Sequence, residues 1–350
     1  MSPLAFKRCA VPLLVIGTGA CAHLAQPERV YLDHVVAPGI LPRELDASMR
    51  QFAREGFSGS VLVARGARVL LYQGYGDANR ARHLPNTAET KYPFGALVNQ
   101  FTAAAVLQLA AEGTLRLDQP ASTWIGPDAG DATIAELLGR SREGGGIAST
   151  IRAARYGGDP AVERLRTSGP SYALLERVLT AASGRPATEM MRERLLRPAG
   201  LDRTVVDDGL LNDSLVARGY SGAYGATVVV TGLVGPLADL FHWQQALRTG
   251  QLLPASVRQQ MAPREESGAG LGWVVGRTAG GARVIEQASD QPGFQLWYGY
   301  FPDSDLLILV AANTDEGYRR PVVERLTALL VDGAASPGRE PGKADRTGGE

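Results

Sequence analysis

The sequence predicts an α+β fold: one antiparallel sheet assembled from both chain ends and flanked by helices, with a helical lobe inserted between its halves. Three observations carry this. Strand-like alternation appears in SGSVLVARGARVLLYQGYGDANR (58–80) and returns from residue 270 onward. The intervening residues 118–260 read as mostly helical, with Gly- and Pro-rich connections. Helical spacing also marks both ends of the region 42–333 that should fold. A sheet drawn from both termini makes the two halves one folding unit rather than separable domains.

The elements follow in order. Residues 1–21 read as an export leader: Lys7 and Arg8 are a positive start, Cys9 to Gly17 an apolar core, and Thr18-Gly19-Ala20 a small-residue cleavage zone. Cys21 is a candidate lipid acceptor, although Thr18 stands where lipoprotein signals prefer Leu. Residues 22–41 form a Pro-containing linker, and Arg43 to Glu55 has helical spacing. The first strands should turn at Arg65-Gly66-Ala67. Asn99 to Glu112 is apolar on nearly every face, which predicts a central buried helix, and Gly113 is placed to end it.

Tyr172 to Ala182 and Leu237 to Leu247 are the clearest helices of the middle region. Strands are expected in LGWVVGR (271–277), ARVIEQA (282–288), QLWYGYF (295–301) and LLILVAANT (306–314). Pro321 to Val331 predicts a closing helix, its proline in the first turn where a missing N–H is harmless. Residues 334–350 have no large apolar side chain to anchor packing and should be a disordered tail.

Composition narrows the function. Hydrophobic residues make up 45% and charged residues 21% of the 350, enough for a substantial core. Lys plus Arg equals Asp plus Glu, 36 against 36, which argues against a nucleic-acid partner. No segment after the leader is long and apolar enough to span a membrane. Cys9 and Cys21 both lie in the leader, so the body carries neither disulfide nor thiolate. His34, His83 and His242 are scattered without metal-ligand spacing, and His242 beside Trp243 reads as a surface or packing residue. Gly144-Gly145-Gly146 reads as a flexible connection, and no close pair of carboxylates stands out from solvated surface charge. No metal and no cofactor are expected.

Several stretches in matching order are similar to one family: FSGSVLVARGARVLLYQGYGDAN, QFTAAAVLQLAAEGTLRLDQPASTWI, SYALLERVLTAASGRPATEMMRERLLRPAGLDRT, LADLFHWQQAL, GLGWVV and QPGFQLWYGYFPDSDLLILVAANT. From about Leu45 to Leu330 the chain resembles the penicillin-binding-protein and class C β-lactamase-like serine hydrolases, with their esterase and D-aminopeptidase relatives. The resemblance implies a β-lactamase/transpeptidase-like fold and three catalytic motifs. A Ser-x-x-Lys motif supplies a nucleophile at a helix start and its base one turn later. A Tyr-x-Asn motif supplies a proton relay and a substrate-binding amide. A Lys-Thr-Gly or His-x-Gly strand supplies a cation.

None of these survives in the sequence. The first motif falls on Ala96 and Asn99, and neither a methyl group nor an amide can replace nucleophile or base. The second falls on Thr167, Ser168 and Gly169, where Ser168 or Ser171 reads as a cap for the following helix. The third falls on Gln287, Ala288 and Ser289, flanked by Glu286 and Asp290, so a positive pole becomes neutral to negative. The His-Thr-Ser-Gly turn expected after Leu138 is replaced by Gly139-Arg140-Ser141-Arg142.

No frame error hides a second copy. Only Lys7, Lys91 and Lys343 occur, none in a Ser-x-x-Lys, and Lys91 reads as a solvated loop charge. The backbone N–H groups of Ala96 and Asp290 are the candidate residual oxyanion donors. The sequence therefore predicts an exported pseudoenzyme, periplasmic or lipid-anchored, that binds an unidentified small molecule or envelope protein. The alternative is a serine hydrolase with relocated groups, using Ser168 or Ser289 with water.

Overall fold

The computed structural model describes residues 34–139, 169–207, 213–222, 226–228, 232–250, 252–261, 269–270, 272–278 and 280–332. The leader with Cys21, the loop with Gly144 to Gly146, Thr167, Ser168 and the tail 334–350 lie outside the described residues.

From the N-terminal side, strand β1 (Val35–Val36) and helix α1 (Ile40–Arg54) precede the hairpin β2 (Gly59–Arg65) and β3 (Arg68–Tyr75). The small pair β4 (Asp77–Asn79) and β5 (Leu84–Pro85) follows, then β6 (Tyr92–Pro93) and the central helix α2 (Val98–Ala111). The helical region contributes α3 (Ser122–Ile125), α4 (Ile134–Gly139), α5 (Gly169–Ser183) and α6 (Ala187–Met191). Short strands β7 (Val205–Asp207), β8 (Gly219–Ser221), β9 (Ala226–Val228) and β10 (Gly232–Gly235) come before α7 (Leu237–Thr249) and α8 (Ala255–Met261). The chain closes with β11 (Ala269–Gly270), β12 (Trp273–Arg277), β13 (Arg283–Gln291), β14 (Phe294–Phe301), β15 (Leu306–Ala312) and α9 (Arg319–Thr327).

The main sheet has eight strands in the order β1-β3-β2-β15-β14-β13-β12-β11. Every neighbouring pair in it is antiparallel, and β2 meets β15 with Val61 opposite Val310. The two chain ends thus share one sheet, as the pattern of strand signals predicts. Both faces are covered, which explains why LLILVAA reads as an unbroken apolar run. Leu306, Ile308 and Val310 join the core formed with α1 and α9, while Leu307, Leu309 and Ala311 join the core beneath the helical lobe. Helix α2 runs through that second core, with Phe101 and Ala103 to Leu107 buried. Its three consecutive alanines leave little bulk, so neighbouring elements can approach its backbone closely.

A polar knot fixes the segment leading into α2. Asn86 Nδ2 donates to Ser58 Oγ and to the Tyr75 carbonyl, each at 2.9 Å, and its Oδ1 accepts from Tyr92 at 2.8 Å. Each partner is buried, so the knot ties residues 86–92 to the sheet at a defined depth.

Four expectations need correction. The fold begins before residue 42, because Val35–Val36 pairs with β3 and α1 starts at Ile40, so part of the expected linker is structured. The middle region contains a three-stranded sheet, β6-β10-β7, and the hairpin β8-β9, besides its helices. Helix α5 begins at Gly169, which puts Ser171 inside the helix rather than at its cap. Lys91 is not a solvated loop charge: it pairs with Asp213 at 2.7 Å and its side chain is only 11% exposed.

Candidate functional site

The fold brings the start of α2, the inward face of β13, the start of β12 and the first turns of α5 together. Strand β6 feeds a short 3-10 turn, Gly95–Leu97, which leads into α2. Gly95 has φ +52°, and a Cβ there would lie 2.0 Å from Ser289 Oγ and 3.0 Å from Gln291 Oε1. Only glycine allows both that backbone conformation and that approach. The consequence is at the next residue. Ala96 N–H donates to Ser289 Oγ at 3.1 Å, so a hydroxyl of the chain itself occupies the direction in which an oxyanion would be bound.

Asn99, one turn into the helix, is 3% exposed, and its Oδ1 has no hydrogen-bond partner among the described residues. Gly272 lies against the same turn; with φ +84°, its Cβ would sit 2.8 Å from the Gln100 backbone nitrogen. That contact seats the beginning of β12 on α2.

Strand β13 alternates, with Gln287, Ser289 and Gln291 buried while Ala288 and Asp290 are exposed. Gln287 Nε2 donates to the Ala288 carbonyl at 3.4 Å. The side-chain oxygens of Gln287 and Gln291 are buried without a partner among the described residues. The flanking carboxylates are not the simple negative pole that the sequence suggests. Asp290 accepts from the Arg319 guanidinium and, at 3.1 Å, from Gln295 Nε2, and Glu286 accepts from Trp297 Nε1 at 2.7 Å. Arg319, brought by α9 from far along the chain, offsets the charge of Asp290.

The third wall is α5. Gly169 opens it, and Tyr172 lies one turn on. The Tyr172 hydroxyl donates to the Leu138 carbonyl at 3.0 Å and accepts from the Gly272 backbone, so it joins α4, α5 and the β12 start. Burial raises its phenol above the ordinary range, which keeps the hydroxyl neutral.

One turn further stands Glu176, which sequence reasoning missed. It is 5% exposed, and burial pushes its carboxyl up to about 8, opposed only by the contact with Thr102. Thr102 Oγ1 lies 3.4 Å from Glu176 Oε1 and 3.2 Å from the Val98 carbonyl. One hydroxyl proton cannot serve both acceptors well. The bond to Glu176 is accordingly the longer and weaker of the two, and it offsets little of the burial that favours the neutral carboxyl. The available signal was its place four residues after Tyr172 and beside Leu175, on the buried stripe of α5.

Of the sequence-derived positions, Ala96 and Ser289 are joined by a hydrogen bond, and Asn99 lies one turn further along α2. Gln287 lies on the same buried face of β13 as Ser289, and Gly169 opens the adjoining helix. The described amine, Lys91, is held by Asp213, and His242 Nδ1 lies 3.3 Å from the Gly200 carbonyl. Among the described residues, no group of three or more His, Cys, Asp or Glu side chains could hold a metal ion. No described helix is long and apolar enough to cross a membrane.

Comparison with known proteins agrees with this architecture. The model of the Beta-lactamase family matches residues 45–332. The putative penicillin-binding protein PbpX of Bacillus subtilis (strain 168) is 22% identical over 288 residues, 74% of this chain and 71% of that protein. The octameric penicillin-binding protein homologue from Pyrococcus abyssi superposes with a TM-score of 0.67 at 21% identity, over 82% of this chain and 77% of that one. FmtA from Staphylococcus aureus superposes at 0.70 with 14% identity, over 88% and 92% of the two chains. The chain belongs to the Beta-lactamase family.

Proposed function

We propose that this member of the Beta-lactamase family is exported to the bacterial envelope and acts there by binding a small molecule or a protein partner, without acyl transfer. One observation carries the reading. The helix start that should present a nucleophile has a methyl group at Ala96, and the N–H beside it is bonded to Ser289. Asn99 supplies no base, because an amide nitrogen has no basic lone pair near neutral pH. The two losses act on one catalytic unit, in which either alone removes most of the rate. Export is supported by the charged, apolar and small-residue succession in residues 1–21, and Cys21 makes a lipid anchor the route to be tested by mass.

Incubation of the purified chain with a fluorescent penicillin and with a fluorophosphonate, followed by intact-mass measurement, tests the catalytic part. The expected result is an unmodified mass with both reagents. A covalent adduct in the cleft, or ester turnover that vanishes in Ser289→Ala, would replace this reading with that of a hydrolase using relocated groups.

A further inference from the structure

We infer that Glu176 is a further determinant of the missing chemistry: its carboxyl is buried beside the α2 turn that carries Asn99, where it would hold any lysine at position 99 as an ammonium ion. The inference deepens the proposed loss of acyl transfer and rests on that reading for its meaning, though not for its test.

The geometry is local. Asn99 and Thr102 are three residues apart on α2, so they share a face. The Glu176 carboxyl reaches Thr102 Oγ1 at 3.4 Å, and that oxygen is itself 3.2 Å from the carbonyl of Val98, the residue before Asn99. A side chain introduced at 99 is therefore the helical neighbour of the Thr102 hydroxyl that Glu176 touches, and Asn99, Thr102 and Glu176 are all buried. The other neighbour of that hydroxyl is Met191 Sδ at 3.9 Å, a weak acceptor with no charge.

The proton balance then follows. An amine is a stronger base than a carboxylate, so between these two buried positions the proton passes from the Glu176 carboxyl to the introduced amine. The resulting opposite charges favour each other's ionised form. A lysine acting as general base must be neutral when it accepts the serine proton. Restoring Ser and Lys at 96 and 99 would therefore return the nucleophile without a working base. The site is remodelled around its losses, and a carboxyl that no catalytic role requires is part of the remodelling.

The chain's own lysine count makes the test direct. Its lysines are Lys7, Lys91 and Lys343, so an Asn99→Lys protein labelled at the lysine ε-carbon shows one added signal by NMR. Between about pH 6 and 9, that signal is expected to stay at its ammonium position while Glu176 is present. In Asn99→Lys combined with Glu176→Gln, it is expected to titrate within the same window, about two pH units or more below an ordinary lysine. Titration in the presence of Glu176, or none after Glu176→Gln, overturns the inference. If near-UV circular dichroism shows that Asn99→Lys does not fold, Asn99→His gives the same readout. Its imidazole should titrate above about 6.5 beside Glu176 and fall in Glu176→Gln, and equal values overturn the inference. The penicillin experiment on the unaltered chain decides the loss of acyl transfer separately.

Discussion

Glu176 shows how one side chain can write its environment into the stability of the whole chain. Its folded-state carboxyl titrates at about 8 against an ordinary 4.5, and burial is the largest cause. The folded protein therefore holds a proton that the unfolded chain has released. The stability this group contributes is fully present below about 4.5 and is lost as pH rises to about 8. Asp239 behaves similarly in a lower window: burial raises it to about 6, against bonds from Thr204 Oγ1 at 2.6 Å and the Arg203 N–H at 3.2 Å. Because Asp239 has largely titrated by about pH 7, most of the change between pH 6 and 8 comes from Glu176. Urea unfolding of the unaltered chain should lose about 2 kcal/mol across that interval through this group. Glu176→Gln should remove that loss; equal slopes for the two proteins would show that the carboxyl is solvated. At this scale the sequence could place residues only where a family motif framed them, as at Ala96, Asn99 and Gln287. It was not legible at Glu176, because burial of a charge depends on which helix covers it. The Asp290–Arg319 pair was hidden for the same reason, its partners lying on different elements.

Between elements, the contact of β13 with the entry to α2 decides what the cleft can offer. The inward alternation of Gln287, Ser289 and Gln291 places three polar groups against a glycine and a helix start. Gly95→Ala should therefore cost about 3 kcal/mol or more, from the positive φ and from overlap with Ser289. Ser289→Gly should relieve the overlap but not the backbone strain. A double-mutant cycle read from urea midpoints is thus expected to show coupling of about 1 kcal/mol or more between the two positions. Strict additivity would mean that β13 does not press on the helix entry. Long periodic elements such as α2, α7 and β13 to β15 were foreseeable, because repetition over many residues outweighs local noise. Strands β6 to β10 were not. Each is two to four residues long, too short for a period, and β6, β7 and β10 exist because partners distant in sequence complete them.

The whole molecule is organised by the seam where β2 meets β15, and that seam sets how the chain should unfold. Leu309 and Val310 are adjacent on β15 yet belong to opposite cores, Leu309 under the helical lobe and Val310 against α1 and α9. If the lobes were independent domains, shrinking each residue would loosen a different part. A shared sheet transmits either loss to both faces, since neither core can form without the strand that separates them. Leu309→Ala should lower stability by about 2–5 kcal/mol, and Val310→Ala by about 1–3 kcal/mol. Both should do so in a single transition. Tryptophan fluorescence is suited to the measurement, because Trp243 and Trp273 report on the core beneath the lobe and Trp297 on the other. Far-UV circular dichroism and fluorescence are expected to give the same midpoint for each variant, lowered from that of the unaltered chain. Separate midpoints in either variant would mean that the helical lobe folds independently of the sheet. In that case, drawing strands from both chain ends would not suffice to make them one folding unit.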